Sequence, residues 1–222
     1  MYKLFIDNFA NIIKALLETF QMMTIALVIG IIFGLIIGIL ITITSKDNIS
    51  PNKVINNLLG LIVNITRSIP FILLAIILIP VTRFIVGRAF GTLAGSVPLS
   101  IISVALFARF TEQALKEVSP NIIKSAQAMG AKKWQIVIYF MLKESRSSLI
   151  LGYTSAIISI ISYTTAMGIL GAGGIGDFAI YHGYNMNNFK LMFIIIIIMI
   201  IIVQTIQILG NYLANKLNKQ RK

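Results

Sequence analysis

Long apolar runs dominate the pattern of this chain. Met22–Thr44 is uncharged throughout and exceeds the roughly 20 apolar residues that carry a helix across a bilayer core. Four more runs follow: Val54–Pro80, broken only by Arg67, then Ala89–Ala108, Ser147–Ala172 and Leu191–Asn215. The third contains Gly91, Gly95 and Pro98, so its regular part is expected to begin near Val97. Before the first run, Leu4, Phe5, Phe9, Ile12, Ile13 and Leu16 recur at helical spacing, with Asp7 and Glu18 among them. That pattern predicts an amphipathic helix over residues 1–21 lying at the interface, not a signal peptide. The chain reads as an all-α polytopic membrane protein, one transmembrane domain over residues 1–222.

The connection from Arg109 to Arg146 is long beside the others. Ser119-Pro120 is a good helix start, a hydroxyl to cap free N–H groups followed by a residue that needs no N–H. From there Ile122, Ile123, Ala126 and Met129, then Trp134, Val137, Ile138 and Met141, recur at helical spacing, with Gly130 at the joint. Two short amphipathic helices are expected over about 120–142. They either rest on the headgroups or dock a cytoplasmic partner.

Composition removes the soluble alternatives. Of 222 residues, 57% are hydrophobic and 12% charged, against about 25% charged in soluble domains. The net charge of +12 would suggest nucleic acid in a soluble protein, but here it reports orientation and calls for no nucleic-acid partner. Placing Ser45–Lys53, Arg109–Arg146 and the tail from Lys216 on one side gathers thirteen of the 19 Lys and Arg there, against five opposite. Lys and Arg accumulate in cytoplasmic loops, so the N-terminus is expected outside and the C-terminus in the cytoplasm. Zero Cys and one His, His182, leave no disulfide framework and no metal site.

Several motifs have two readings. Gly171-Ala-Gly-Gly-Ile-Gly176 matches a dinucleotide fingerprint in form. It follows a membrane span instead of a strand, so it is expected to make a tight external turn. No phosphate-binding G-x-x-x-x-G-K-[ST] occurs. Gly30, Gly34 and Gly38 form a small-residue ridge for close helix packing. Ser155, Ser159 and Ser162 share one face of the fourth span; they are either hydroxyls bonded back to their own helix or part of a polar solute path. Asn57, Asn64 and Arg67 share a face of the second span, and a charge at that depth is functional by default. Arg67 either lines an aqueous cavity or pairs across helices, with Asp177 and Glu112 as acidic candidates. Pro70 beside it invites a kink.

Asn121-Ile-Ile-Lys-Ser-Ala-Gln-Ala-Met-Gly-Ala, followed by Trp134-Gln-Ile-Val137, resembles the EAA loop of ABC importer permeases. Lys124 stands where that family has Glu, and Lys143 where it usually has Pro. Asn64-Ile-Thr-Arg-Ser-Ile-Pro-Phe71, Ile79-Pro-Val-Thr-Arg-Phe-Ile-Val-Gly87, the Gly171–Gly176 stretch and Tyr181-His-Gly-Tyr184 resemble the methionine-uptake subgroup.

The resemblance implies a type I importer permease fold in a bacterial cytoplasmic membrane. It implies a homodimer, two cytoplasmic ATPase subunits that bind ATP and Mg, and an external solute-binding lipoprotein. This chain would hold no cofactor and catalyse nothing. Ser125, Ala126, Ala128, Met129, Gly130 and Ala131 would dock on the ATPase. Asn64, Arg67, Ser155, Ser159, Ser162, Tyr163, Ala166 and Met167 would line or gate the path, though Met167 has the alternative of packing on a neighbouring span or lipid. The same pattern would suit a permease for another amino acid or small solute; an ion-coupled secondary transporter would need no ATP.

Overall fold

The computed structural model describes residues 2–218, with side chains from Phe5 onward, so Leu4 of the expected stripe lies outside the described side chains. α1 (Tyr2–Ile43) is one helix of 42 residues, about 63 Å long at 1.5 Å per residue. The interfacial helix expected over residues 1–21 is therefore not a separate element. No glycine or proline precedes Gly30, and nothing in the backbone interrupts the helix. Only part of its apolar stripe turns onto the protein: Ile12 and Ala15 are buried against Ile175, Phe178, Leu191 and Ile195, with Phe5 and Leu16 alongside, while Phe9 and Ile13 stay exposed.

The glycine ridge of α1 meets α5 (Thr92–Lys116), most of whose residues are buried. A Cβ on Gly30 would lie 2.6 Å from Ser103 Cβ, one on Gly34 2.5 Å from Phe107 Cβ, and one on Gly38 2.5 Å from Thr111 Cβ. The three glycines and their three partners each repeat every four residues, so the ridge of α5 side chains lies in the groove that the glycines leave. Ser103 is fully buried, and among the described residues its hydroxyl finds no hydrogen-bond partner. α5 begins at Thr92, a turn earlier than Val97, after Gly91 at φ +90. Pro98 sits buried inside it.

The second span is not one helix. α2 (Lys53–Ser68) and α3 (Phe71–Ile77) meet at 106°, and α4 (Ile79–Val86) follows. The residue before a proline avoids helical angles, and Ile69 is extended at φ −76, ψ 127. The expected kink at Pro70 is a near right-angle break. α6 (Pro120–Ala128), α7 (Lys133–Gln135), a π-helical turn (Ile136–Met141) and α8 (Leu142–Glu144) make the long connection. α9 (Arg146–Ile169), α10 (Ile175–Phe178), a second π-helical turn (Ala179–Asn185) and α11 (Phe189–Leu217) complete the chain. Among the described residues four helices are long and apolar enough to cross a membrane, and five spans result if the bent α2–α3 pair counts as one.

The crossing of α1 and α5 yields a sharp pair of expectations. Gly34→Leu should lower detergent-solubilised stability by about 1–3 kcal/mol through overpacking, because Ala108 N lies 2.9 Å from the position its Cβ would take. Ser103→Ala should be neutral or slightly stabilising, since the site uses the residue's size and leaves its hydroxyl unsatisfied. Thermal unfolding of both variants measures the contrast.

Candidate functional site

The helix pair in the long connection is built to hold its joint still. Ser119 Oγ accepts from Asn121 N–H at 3.4 Å, and Pro120 opens α6. At its end Gly130 takes φ +76, and Ala131 N–H donates back to Ala126 O at 3.1 Å. This is the left-handed helix ending that glycine supplies. Ala126, Ile136, Val137 and Met141 are buried with Leu115 of α5 and Ile49 of the loop after α1, and Ile39 and Ile43 at the end of α1 pack against them. The rest of the apolar pattern stays outside: Met129 is 70% and Trp134 53% exposed, with Ile138 and Tyr139 beside them. Trp134 and Tyr139 rings lie 5.9 Å apart. Ser125, Ala128 and Gly130 are exposed and Ala131 half-buried. A helix pair that both buries and exposes large apolar side chains has one face for its own chain and one for another.

Lys124 is exposed and joins no ion pair among the described residues. Lys143 lets α8 continue toward α9, and its carbonyl accepts from Arg146 Nε at 3.0 Å.

α9 carries the hydroxyl face. Ser155, Ser159 and Ser162 donate to the carbonyls of Leu151, Ser155 and Ile158 at 3.0, 2.9 and 3.4 Å, so none needs a partner from another helix. Ser155 and Ser162 are nonetheless exposed, on one stripe with Leu151 and Ile169; Ala166 lies on the same face and is half-buried. Tyr163 faces elsewhere and stacks on Phe71 of α3, ring centroids 4.6 Å apart. Met167 is only 6% exposed and packs in the cluster of Met22, Leu99 and Ala172. It is an interior residue of the protomer, off the exposed stripe, because the helical turn that presents Ala166 outward turns Met167 toward α1 and α5.

Asn57, Asn64 and Arg67 share an exposed face of α2. Arg67 pairs with neither acidic candidate. Glu112 is buried and held by Arg109 at 2.8 Å and Lys116 at 2.6 Å, one helical turn to either side, while Asp177 lies beside Glu18 and His182 in the turn after α9.

That turn uses three left-handed glycines, Gly171, Gly173 and Gly174, at φ +80, +82 and +91. Two residues of α1 that the apolar pattern gave no reason to single out catch its backbone. Glu18 Oε2 accepts from Gly174 N–H at 2.9 Å and Thr19 Oγ1 from Ile175 N–H at 2.8 Å. Gly91 N–H donates to Gly171 O at 2.9 Å. Gly176 lies so close to α9 that a Cβ would sit 2.4 Å from Thr165 Cα. The hollow beneath is lined by Asn11, Lys14, Glu18, Asp177, Tyr181 and His182.

Apolar helices long enough to span a membrane, an exposed polar helix face and an apolar knob on a helix pair outside the bundle are parts that a membrane transport permease needs. The chain belongs to the family described as binding-protein-dependent transport system inner membrane components, which matches residues 30–219. It is 42% identical over 91% of its length to the Pasteurella multocida protein named "Probable D-methionine transport system permease protein MetI", covering 93% of that protein. It is 36% identical to the "Methionine import system permease protein MetP" of Bacillus subtilis, covering 80% of each chain. A chain of the MetNI methionine ABC transporter, solved in inward-facing conformations, superposes with a TM-score of 0.89 at 34% identity, covering 92% of this chain and 95% of that one.

Burial first, and then the neighbouring Glu18 carboxylate, raise the pKa of Asp177 above the ordinary aspartate range, with His182 acting the other way. The folded protein thus holds this proton more tightly than the unfolded chain does. Its contribution to stability is full below the unfolded pKa and lost as pH rises through the folded one. Asp177→Asn is therefore expected to be more stable than wild type near pH 7, with the gap closing below about pH 4. Thermal unfolding at the two pH values tests the sign.

Proposed function

We propose that this chain is the permease subunit of an ATP-driven importer for methionine, working as a homodimer with two cytoplasmic ATPase subunits and an external binding lipoprotein. The observation that carries this reading is the α6–α8 helix pair: an exposed apolar knob of Met129, Trp134, Ile138 and Tyr139 whose underside is fastened to α1 and α5. ATP and Mg belong to the partner that docks there. The relatives named for methionine transport support the choice of solute. The N-terminus lies outside and the C-terminus in the cytoplasm, which puts the helix pair on the side where the ATPase is.

The mechanism follows from the packing. When the ATPase subunits close, they move the knob. The contacts of Ala126, Ile136 and Met141 with the cluster that holds Leu115, Ile39 and Ile43 pass that movement to α5 and α1. From α5 it reaches α9, where Phe110 packs on Gly152 and Thr111 bonds to the Tyr153 hydroxyl at 2.8 Å. The exposed face of α9 with Ser155 and Ser162 then changes its distance from its symmetry mate, which is alternating access. Asn64 and Arg67 at the bend of α2 line the same space. A path of internally satisfied hydroxyls and apolar side chains suits a thioether amino acid without gripping it. Affinity then resides in the lipoprotein.

The direct test is uptake of labelled methionine by cells lacking their own importers and expressing this chain with its ATPase and lipoprotein. Methionine uptake that requires ATP hydrolysis is expected. Uptake of a different amino acid only, or uptake indifferent to an ATPase-dead partner, overturns the reading. Gly130→Trp should insert normally, since no atom lies within 4 Å of a Cβ there and the left-handed angle costs only about 1–2 kcal/mol. Its solute-stimulated ATP hydrolysis should nevertheless fall about tenfold or more. Arg67→Leu should insert at least as well as wild type and transport roughly tenfold less. Wild-type uptake in that variant would remove the polar face of α2 from the path.

A further inference from the structure

We propose that the groove between α9 and α11 is a binding site for an anionic phospholipid, with an acyl chain along the groove and the phosphate at Arg146. The groove has a volume of about 500 Å³ and is lined on one side by Ile150, Tyr153 and Ile157 and on the other by Ile206, Leu209 and Leu213. Its hydroxyls are already engaged. Tyr153 is bonded to Thr111 at 2.8 Å, and Thr154 donates to Ile150 O at 2.7 Å. Arg146 and Leu217 stand at one end.

Arg146 gives its Nε to the Lys143 carbonyl at 3.0 Å, and among the described residues no carboxylate pairs with its terminal nitrogens. Lys143 and Lys216 are exposed near the same end. Glu117 and Glu144 line a neighbouring hollow with Ser147 and Ser148 instead, and Glu117 accepts the Ser148 hydroxyl. An apolar trough ending in an unneutralised cation matches a lipid with a negative headgroup.

The dimensions agree. From Arg146 to Ile157, and from Ile206 to Leu217, the helices rise roughly 16 Å, about the hydrocarbon depth of one leaflet in a core of about 30 Å. At 100° per residue the groove residues lie roughly 100–180° around α9 from Ser155. The groove therefore looks away from the face assigned to the solute path, and a lipid there need not leave during transport. Ser147 Oγ donates to Ala214 O at 3.0 Å, tying the two helices together at the basic end. The leaflet, cytoplasmic, rests on the sidedness proposed above; the site itself does not.

The test is native mass spectrometry of the full-length transporter complex in detergent with dioleoyl-phosphatidylglycerol or dioleoyl-phosphatidylcholine. One phosphatidylglycerol per permease copy should be retained, with about fivefold preference over phosphatidylcholine, the factor one basic side chain near a headgroup provides. Arg146→Gln should abolish the preference. Leu213→Trp, which fills the groove and leaves Arg146 in place, should reduce retention of both lipids. Equal retention by wild type, or a preference that survives Arg146→Gln, overturns the site. So does an inter-protomer crosslink through Leu209→Cys in this cysteine-free chain, which would make a second copy the occupant. A periplasmic reporter signal from the C-terminus would reverse only the leaflet, and failed methionine uptake would leave the lipid result untouched.

Discussion

The crossing of α1 and α5 sets where everything else can sit. Helices in hydrocarbon have no hydrophobic force to drive them together, so they associate through close packing. Three glycines on α1 remove the side chains that would otherwise hold α5 away, and Ser103, Phe107 and Thr111 fill the space. Once α5 is seated, its other faces are committed: Phe110 to Gly152 of α9, Thr111 to Tyr153, Leu115 to the helix pair. A shift of the pair cannot stay local, because interiors packed this closely transmit displacement instead of absorbing it.

The two ends of the bundle are secured in different ways. At one end Glu112 is buried between Arg109 and Lys116, its charge balanced within α5 itself. At the other, α1 reaches past the bundle so that Glu18 and Thr19 hold the backbone of the glycine turn. That turn has few side chains of its own and owes its shape to its neighbours. A carboxylate there, Asp177, keeps its proton more readily than an aspartate in water. The helix pair, by contrast, leaves Met129 and Trp134 in the open.

The apolar segments and their order were legible from the apolar runs alone, because length and hydrophobicity mark a candidate membrane span. So were the close-packing role of Gly30, Gly34 and Gly38, the joint at Gly130 and the turn at Gly171–Gly176, since each rests on what glycine alone can do locally. Pro70 announced a break, though its 106° angle depends on how α3 lies against α9 through Phe71 and Tyr163. The continuity of α1 was not apparent: residues 1–21 have the periodicity of a surface helix, and only Ile175, Phe178, Leu191 and Ile195, distant in sequence, bury its Ile12 and Ala15.

Side-chain partners followed the same division. Periodicity places Ala166 and Met167 on neighbouring faces, but which face meets another helix is decided by α1 and α5, and they bury Met167. Composition limited Arg67 to a few acidic partners, and the packing gave Glu112 to Arg109 and Lys116 instead. The apolar spacing of the helix pair predicted two amphipathic helices; the tertiary contacts divided that spacing into a buried half and an exposed half. Local pattern thus determined what each segment is. Long-range packing decided what each side chain faces, because a helix repeats its faces regardless of what will eventually lie against them.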